Sequence, residues 1–152
     1  MCSSDRRLEK YAVTCGGGTN HRTGLFDAVL VKDNHLAFAG LANTPDVAVE
    51  IIREFLDHPD SPVGQRQLPI TVEVDSLDQL ARVLPAQPDI VLVDNMTLDQ
   101  PREASQLRNA TAPDVILEAS GGITLQALPD IARTGIDRVS IGALTHPSAN
   151  VD

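Results

Sequence analysis

The stretch Pro69–Asn95, "PITVEVDSLDQLARVLPAQPDIVLVDN", contains the pattern that decides the fold. Its two ends, Pro69–Val74 and Asp89–Asp94, are apolar runs rich in β-branched residues, and such runs predict β-strands. Between them, Ser76 and Gln79 match the capping box, in which a hydroxyl residue precedes Glu or Gln by three positions, so a helix is predicted to start there. A strand, a helix and a second strand in this order indicate a βαβ unit with parallel strands.

Further strands and helices are predicted on both sides of this unit. The additional strands are Asp27–Lys32, Val115–Ser120 and Arg138–Gly142. Capping hydroxyls, one of them before a proline and one in a second capping box, predict three more helix starts. These are Thr44, Thr97 and Thr124, and the last helix is expected to end at Gly135. The alternation predicts an α/β fold, and the near-continuous apolar runs fit a parallel sheet buried on both faces.

Apolar residues mark the expected core. Val47, Ile51 and Phe55 recur at intervals of four in the helix that starts at Thr44. Tyr11 and the three phenylalanine residues are also expected to lie in the core. The following residues 57–69, "DHPDSPVGQRQLP", are predicted to form a long loop, and no role for it is evident in the sequence.

Length and composition describe one globular domain over residues 1–152, with 42% hydrophobic and 22% charged residues. A closed (β/α)₈ barrel takes roughly 250 residues, so this chain is short for one. No apolar run approaches the ~20 residues of a transmembrane helix. The first residues lack the apolar segment of a signal peptide, and two cysteines make no disulfide framework. We therefore expect a cytoplasmic protein with no membrane partner.

The net charge of −9 argues against non-specific binding of nucleic acid, which needs a basic surface. Positive charge is concentrated near the start of the chain. Residues 1–35 hold five basic and four acidic groups, whereas the rest of the chain holds seven and seventeen. This distribution fits either a binding site for a small anion or an ordinary solvated surface.

Ionisable residues follow the predicted strands at their carboxyl ends, which is where parallel α/β folds bind ligands. Lys32 ends the first strand, Glu73 lies within the second and Asp94 ends the third. A carboxylate inside an apolar strand is costly without a partner, so Glu73 is expected to contact a metal ion or a hydroxyl group. A single acidic residue after a strand is also common as a plain turn or capping residue.

Two glycine-containing loops predict a phosphate site. In "EASGGIT", Ser120, Gly121 and Gly122 directly follow a strand, and glycine lets the backbone approach a ligand closely. A helix from Thr124 would point its positive end at the same place. The segment "SIGALT" repeats the arrangement around Gly142. The alternative is that these glycines only make tight turns.

A cationic cluster is predicted to approach these loops. The glycine-led stretch "CGGGTNHRTG", residues 15–24, brings His21 and Arg22 toward the strand end where Lys32 lies. Because guanidinium can bond two oxygens at once, Arg with Lys and His is the combination expected for a ligand that carries carboxylates. For His21 alone, an ordinary loop histidine is the alternative.

In order and spacing, "LEKYAVTCGGGTNHRTGLFDAVLVKDNH", "VEV", "VLVDNM", "LEASGGITL" and "IDRVSIGALTH" resemble the catalytic domain of the quinolinate phosphoribosyltransferases, or nicotinate-nucleotide pyrophosphorylases. The resemblance covers residues 7–146. It implies a TIM-like (β/α) barrel that uses Mg²⁺ and converts quinolinate and phosphoribosyl pyrophosphate to nicotinate mononucleotide, pyrophosphate and carbon dioxide in NAD biosynthesis. It also implies a homodimer or larger assembly in the intact family.

The resemblance implies a role for each candidate residue. The positions matched to ligands of the two quinolinate carboxylates are His21, Arg22 and Lys32. Those matched to the acidic pair that meets the ribose hydroxyls and Mg²⁺ are Glu73 and Asp94, which with Lys32 are the expected catalytic residues. Those matched to the 5′-phosphate site are Ser120, Gly121, Gly122 and Gly142. Two residues in matched motifs have supporting roles, Asn95 and the substrate-binding His146.

The beginning of the chain departs from the family pattern. Family members carry an N-terminal domain that donates an arginine to the partner subunit's site, and a "TRKT-T-PG" strand before the "LEKYAV" helix, where this chain has "MCSSDR". The expectation is therefore an incomplete barrel without its first strand, open on one side and reduced in rate by several orders of magnitude. The alternatives are a non-catalytic chain that binds phosphoribosyl ligands or a partner subunit, and a molybdenum-transport-associated relative of the same fold.

Overall fold

The five predicted strands are all present, and each is shorter than predicted. The computed structural model describes residues 3–20, 27–63, 67–97 and 99–142. The strands are β1 (Val29–Val31), β2 (Ile70–Val74), β3 (Ile90–Asp94), β4 (Ile116–Ser120) and β5 (Arg138–Val139). The helices are α1 (Ser3–Cys15), α2 (Asp33–Phe38), α3 (Pro45–Asp57), α4 (Leu77–Val83, followed by the 3₁₀ turn Leu84–Ala86), α5 (Gln100–Thr111) and α6 (Leu128–Ala132).

All strands are parallel and form one sheet in the order β1-β2-β3-β4-β5. Each strand therefore pairs with its neighbours in sequence, and right-handed connections place the intervening helices on the same face of the sheet. Helices α3 and α4 pack against β2, and α5 packs against β4. In the described residues β1 and β5 pair on one side only, so the sheet is a partial (β/α) barrel, as predicted.

The two faces of the sheet carry different residues, because successive side chains of a strand alternate between faces. The face that packs against the helices is apolar and buried, and its residues include Val72, Val74, Val91, Val93, Leu117 and Ala119. The opposite face carries Thr71, Glu73, Leu92, Asp94, Glu118 and Ser120. The middle of the sheet is thus buried on both sides, as expected, but only one side is apolar. The polar face carries Asp94 and Ser120 at the carboxyl ends of β3 and β4.

An ion pair between the buried Arg108 and the partly exposed Asp137 joins α5 to the amino-terminal ends of β4 and β5, at the opposite edge of the sheet. Nη1 of Arg108 donates to Oδ2 of Asp137 (2.8 Å) and to the backbone carbonyl of Val115 (2.7 Å). The same Oδ2 accepts the backbone N–H of Leu117 at 2.8 Å. Arg108 is only 7% exposed, so its charge needs these partners. The pair holds the helix and both strands in a fixed arrangement.

The last helix begins later than predicted. The start at Thr124 is wrong: residues 125–127 form turns, and α6 spans only Leu128–Ala132. Pro129 gives the physical reason. It lies in the first turn of α6, where its missing N–H is harmless, whereas a helix from Thr124 would have placed it in the interior and lost a backbone hydrogen bond. The described part of the predicted loop contains neither helix nor strand beyond Asp57, as predicted.

The aromatic residues that the structure describes are not core residues, so that prediction is wrong. Tyr11 is 68% exposed, Phe38 97% and Phe55 53%. Phe26 lies outside the described residues. Apolar composition alone predicted burial, but the exposed fraction depends on which face of its helix each ring occupies.

Helix α3 forms where it was predicted but buries a different face. Ile51 is about as exposed as Phe55, whereas Ala48 and Val49 are buried. The apolar arc of α3 is therefore wider than the surface that β2, α4 and the 3₁₀ turn cover. We call the uncovered residues Ile51 and Phe55 the α3 flank.

Candidate functional site

The carboxyl-end edge of the sheet carries two clusters of the residues assigned to a site. The strand register places Lys32 next to Glu73, and Asp94 next to Ser120. Glu73 pairs with Leu92, two residues and about 6.6 Å before Asp94 along β3. Because these residues alternate onto one face, both clusters face the same side of the sheet.

Lys32 and Glu73 form the first cluster. Lys32 directly follows β1 and precedes α2, with extended backbone angles of φ −115° and ψ 164°. Its Nζ lies 2.8 Å from Oε2 of Glu73, and the two side chains are 43% and 12% exposed. The buried carboxylate therefore has the partner that its burial requires, an ammonium group rather than the expected hydroxyl. A metal contact at Glu73 stays a prediction, and so does a ligand contact at Lys32.

Asp94, Asn95 and Gly121 form the second cluster. Nδ2 of Asn95 donates to Oδ2 of Asp94 at 2.7 Å. The backbone N–H of Asn95 donates to the carbonyl of Ser120 at 3.2 Å, so the end of β3 is tied to the end of β4. Asn95 has φ 52°, a left-handed conformation that asparagine tolerates better than most residues.

The close approach of the β4 loop to Asn95 requires glycine at position 121. A Cβ at Gly121 would lie 2.7 Å from the backbone nitrogen of Asn95, 2.9 Å from its Cγ and closer still to its Oδ1. Gly121 also has φ 89°, in the region that favours glycine. The glycine thus allows the β4 loop to pack directly on the turn that follows Asp94.

Gly122 and Gly142 differ from Gly121 in their surroundings. Gly122 has φ 57°, but no atom lies within 4 Å of an added Cβ, so the space in front of it is open. Gly142 is exposed and follows β5. Phosphate binding at Gly122 and Gly142 stays a prediction. The helix-dipole contribution predicted from Thr124 is wrong, because α6 starts only at Leu128.

A further buried carboxylate, Glu118, was not identified from the sequence. It is 4% exposed, lies two residues before Ser120 on the same face, and accepts a hydrogen bond from the hydroxyl of Ser140. In the register it pairs with Arg138 of β5. The signal was available, since Glu118 interrupts the apolar run of β4 just as Glu73 interrupts that of β2.

Three assigned residues, His21, Arg22 and His146, lie outside the described residues. Their roles as substrate ligands stay predictions. Within the described ranges, no group of three or more His, Cys, Asp or Glu side chains could hold a metal ion. In that same part of the chain, every helix is too short or too polar to cross a lipid bilayer.

Comparison with known proteins identifies the family of this chain. Residues 4–152 match the family described as quinolinate phosphoribosyl transferase, C-terminal domain. The nicotinate-nucleotide pyrophosphorylase [carboxylating] of Mycobacterium leprae is 43% identical over 93% of this chain and 45% of its own length. The human protein of the same name is 35% identical over 97% of this chain and 46% of its own length.

Solved structures show the same fold. The nicotinate-nucleotide pyrophosphorylase from Francisella tularensis superposes with a TM-score of 0.77 at 39% identity, over 93% of this chain and 45% of that one. The one from Ehrlichia chaffeensis gives 0.78 at 33% identity, over 93% and 46%. The chain thus spans somewhat less than half the length of these relatives. By sequence and by structure, it belongs to the quinolinate phosphoribosyl transferase family and corresponds to the C-terminal domain.

Proposed function

We propose that this domain forms nicotinate mononucleotide from quinolinate and phosphoribosyl pyrophosphate. The observation that carries the proposal is the placement of the Lys32–Glu73 pair and the Asp94–Asn95–Gly121 cluster along one edge of the sheet. In the reaction, the pyridine nitrogen bonds to C1 of the ribose as the bond from C1 to pyrophosphate breaks. Loss of carbon dioxide leaves an electron pair on the ring carbon, which then takes up a proton.

On the quinolinate side, three cations are proposed to contact the carboxylates, and Lys32 is the one that lies in the described part of the chain. The Lys32 side chain is 43% exposed while its ammonium contacts Glu73, so a ligand carboxylate could approach it from the solvent side. His21 and Arg22 would complete the cationic set. Cations at the two carboxylates fix the pyridine nitrogen against the ribose and stabilise the charge left as carbon dioxide departs.

On the ribose side, Glu73 and Asp94 would meet the ribose hydroxyls and Mg²⁺. Magnesium is commonly bound through one or two carboxylates together with substrate phosphates and water, so two carboxylates fit this use better than a dedicated protein cage. When bound, Mg²⁺ neutralises charge on the departing pyrophosphate. The carboxylates themselves favour a transition state in which the ribose carries positive charge.

The 5′-phosphate would bind at the β4 and β5 loops. Gly122 faces open space, and Gly121 packs away from it on Asn95, so the loop can approach a phosphate with its backbone N–H groups. Ser120 and Gly142 flank this position, and His146 would add a supporting contact.

We also propose that the protein acts in the cytoplasm as a homodimer or larger assembly. Supporting this, two separate helices expose large apolar side chains: Leu8 and Tyr11 on α1, and the α3 flank. Exposed apolar surface of this kind marks interaction sites. Analytical ultracentrifugation should show a species larger than the 16.3 kDa chain, and Phe55→Ser should shift it toward the monomer. A native chain that is monomeric at all concentrations would contradict the proposal.

The reaction is tested with the purified chain, quinolinate, phosphoribosyl pyrophosphate and Mg²⁺. We expect nicotinate mononucleotide as product, and calorimetry should show that phosphoribosyl pyrophosphate binds more tightly with Mg²⁺ than without it. A folded chain that binds neither substrate would overturn the proposed function. Binding of phosphoribosyl pyrophosphate without product would instead support the alternative of a non-catalytic binding chain.

Substitutions in the first cluster should change the affinities for the two substrates by different amounts. Lys32→Gln is expected to weaken quinolinate binding by about 10- to 100-fold, since a charge-assisted hydrogen bond is lost, with a smaller effect on phosphoribosyl pyrophosphate. Glu73→Gln should instead weaken binding of phosphoribosyl pyrophosphate more than binding of quinolinate. Arg133→Gln, in an exposed ion pair with Asp130, is the matched control and should leave both affinities unchanged. Equal effects of Lys32→Gln on both ligands would contradict the assignment.

A further inference from the structure

Asn95 occupies a position that joins the acidic and the glycine-containing parts of the site. Its side-chain Nδ2 bonds to Asp94, its backbone N–H bonds to Ser120, and its amide lies against the backbone of Gly121. All three contacts come from one residue, which is itself exposed and holds a left-handed backbone.

We propose that Asn95 is a positioning residue that orients the carboxylate of Asp94 toward the ribose and the metal ion. The role rests on the proposed function, because it requires that Asp94 meets these groups. Nδ2 of Asn95 donates a hydrogen bond to Oδ2 of Asp94. In the described residues Oδ1 accepts no hydrogen bond, which leaves it for the proposed contact with the ribose or the metal ion. An amide that holds a carboxylate in one rotamer reduces the ordering that binding would otherwise require.

The backbone conformation alone does not require asparagine. A residue with φ 52° would be least strained as glycine. Gln87 shows that this chain also tolerates a left-handed non-glycine residue elsewhere: it has φ 51°, is exposed and lies at the opposite end of β3. What distinguishes Asn95 is the bond from its side chain to Asp94 and the glycine that makes room for its amide.

Replacing Asn95 by glycine distinguishes the contribution of its side-chain amide from that of its left-handed backbone. Asn95→Gly keeps the left-handed backbone accessible and removes only the side chain, and Gln87→Gly is the matched control. With Mg²⁺ present, Asn95→Gly is expected to weaken binding of phosphoribosyl pyrophosphate by about 10-fold or more, as loss of a partner of a ligating carboxylate commonly does. Gln87→Gly should change this affinity less than about twofold, since it lies away from the site.

A double-mutant cycle with Asp94→Ala tests whether Asn95 acts through Asp94. If it does, Asn95→Gly should cost little further affinity once Asp94 is alanine. Equal losses in both backgrounds, or no loss from Asn95→Gly in a chain where Asp94→Ala weakens binding, would overturn the positioning role and leave the proposed function intact. If Asp94→Ala has no effect, or the native chain does not bind the ligand, the proposed function fails and the positioning role fails with it.

Nuclear magnetic resonance provides a readout that is independent of ligand binding. The side-chain NH₂ signals of Asn95 should move strongly in Asp94→Ala, because the bond at 2.7 Å is lost. They should not move in Asp89→Ala, which changes an aspartate at the other end of β3. Unchanged Asn95 signals in Asp94→Ala would contradict the contact on which the proposal stands.

Discussion

Replacing Gly121 by alanine should lower the free energy of unfolding by about 2–5 kcal/mol, with roughly 1–2 kcal/mol from the left-handed backbone and 1–3 kcal/mol from overpacking. The overpacking follows from the Cβ position, which lies 2.7 Å from the backbone nitrogen of Asn95. Relief would require β3 and β4 to separate where Asn95 bonds to Ser120. We therefore also expect the folded fraction of the variant to lose binding of phosphoribosyl pyrophosphate. Urea denaturation and calorimetry measure the two effects.

Two other glycines serve as controls for the backbone contribution. Gly40 has φ 72° and Gly122 has φ 57°, and neither has an atom within 4 Å of an added Cβ. Alanine at either position should cost only about 1–2 kcal/mol. Gly40→Ala should leave ligand binding unchanged, whereas Gly122→Ala should impair it by filling the space proposed for the phosphate. If Gly121→Ala were as stable as Gly40→Ala, the close packing on Asn95 would not be a requirement of the fold.

Removing the buried guanidinium of Arg108 is the second substitution with a large expected effect. Arg108→Ala should destabilise the protein by about 1.5–3 kcal/mol, because it removes the charge-assisted hydrogen bonds to Asp137 and to the carbonyl of Val115. The Asp137 side chain is 39% exposed, so water can replace part of what its carboxylate loses. The midpoint of urea denaturation should fall accordingly. Asp137→Asn, which keeps the shape of the side chain, provides a milder variant should the alanine variant fail to fold.

Arg133→Ala is the control for this substitution. Arg133 also pairs with an aspartate, Asp130 at 2.9 Å, but the two side chains are 72% and 66% exposed. An exposed pair of this kind contributes about 0–1 kcal/mol. Similar losses from Arg108→Ala and Arg133→Ala would show that the Arg108 pair does not hold α5 on the sheet.

The sequence predicted the strands well because their signal is local. Runs of β-branched residues such as "ITVEV" and "IVLVD" form buried strands with few alternatives. The start of α6 was mispredicted because the prediction rested on the hydroxyl of Thr124 alone, whereas Pro129 marks the first turn of the helix. The α3 flank was mispredicted because periodicity identifies a helix but does not show how much of its apolar arc neighbouring elements cover.

The site was predicted as a set of residues but not as a set of contacts. Lys32 and Glu73 were each assigned to it, yet their ion pair spans 41 positions and depends on the register between β1 and β2. The packing of Gly121 on Asn95 depends on two left-handed residues in different loops. Arg108 lies in a helix of mostly polar residues, where an exposed side chain is the usual expectation, and its burial follows from where α5 meets the sheet.

The consecutive strand order has a consequence for how the chain folds. Every strand pairs with the one before it, so each pairing closes only the segment between two neighbours. The shortest such segment joins β2 to β3 and the longest joins β1 to β2. Because closing a shorter loop costs less entropy, β2 and β3 should meet first, and β1 should join a sheet that already exists. Hydrogen exchange during refolding would then protect the amides of β3 before those of β1.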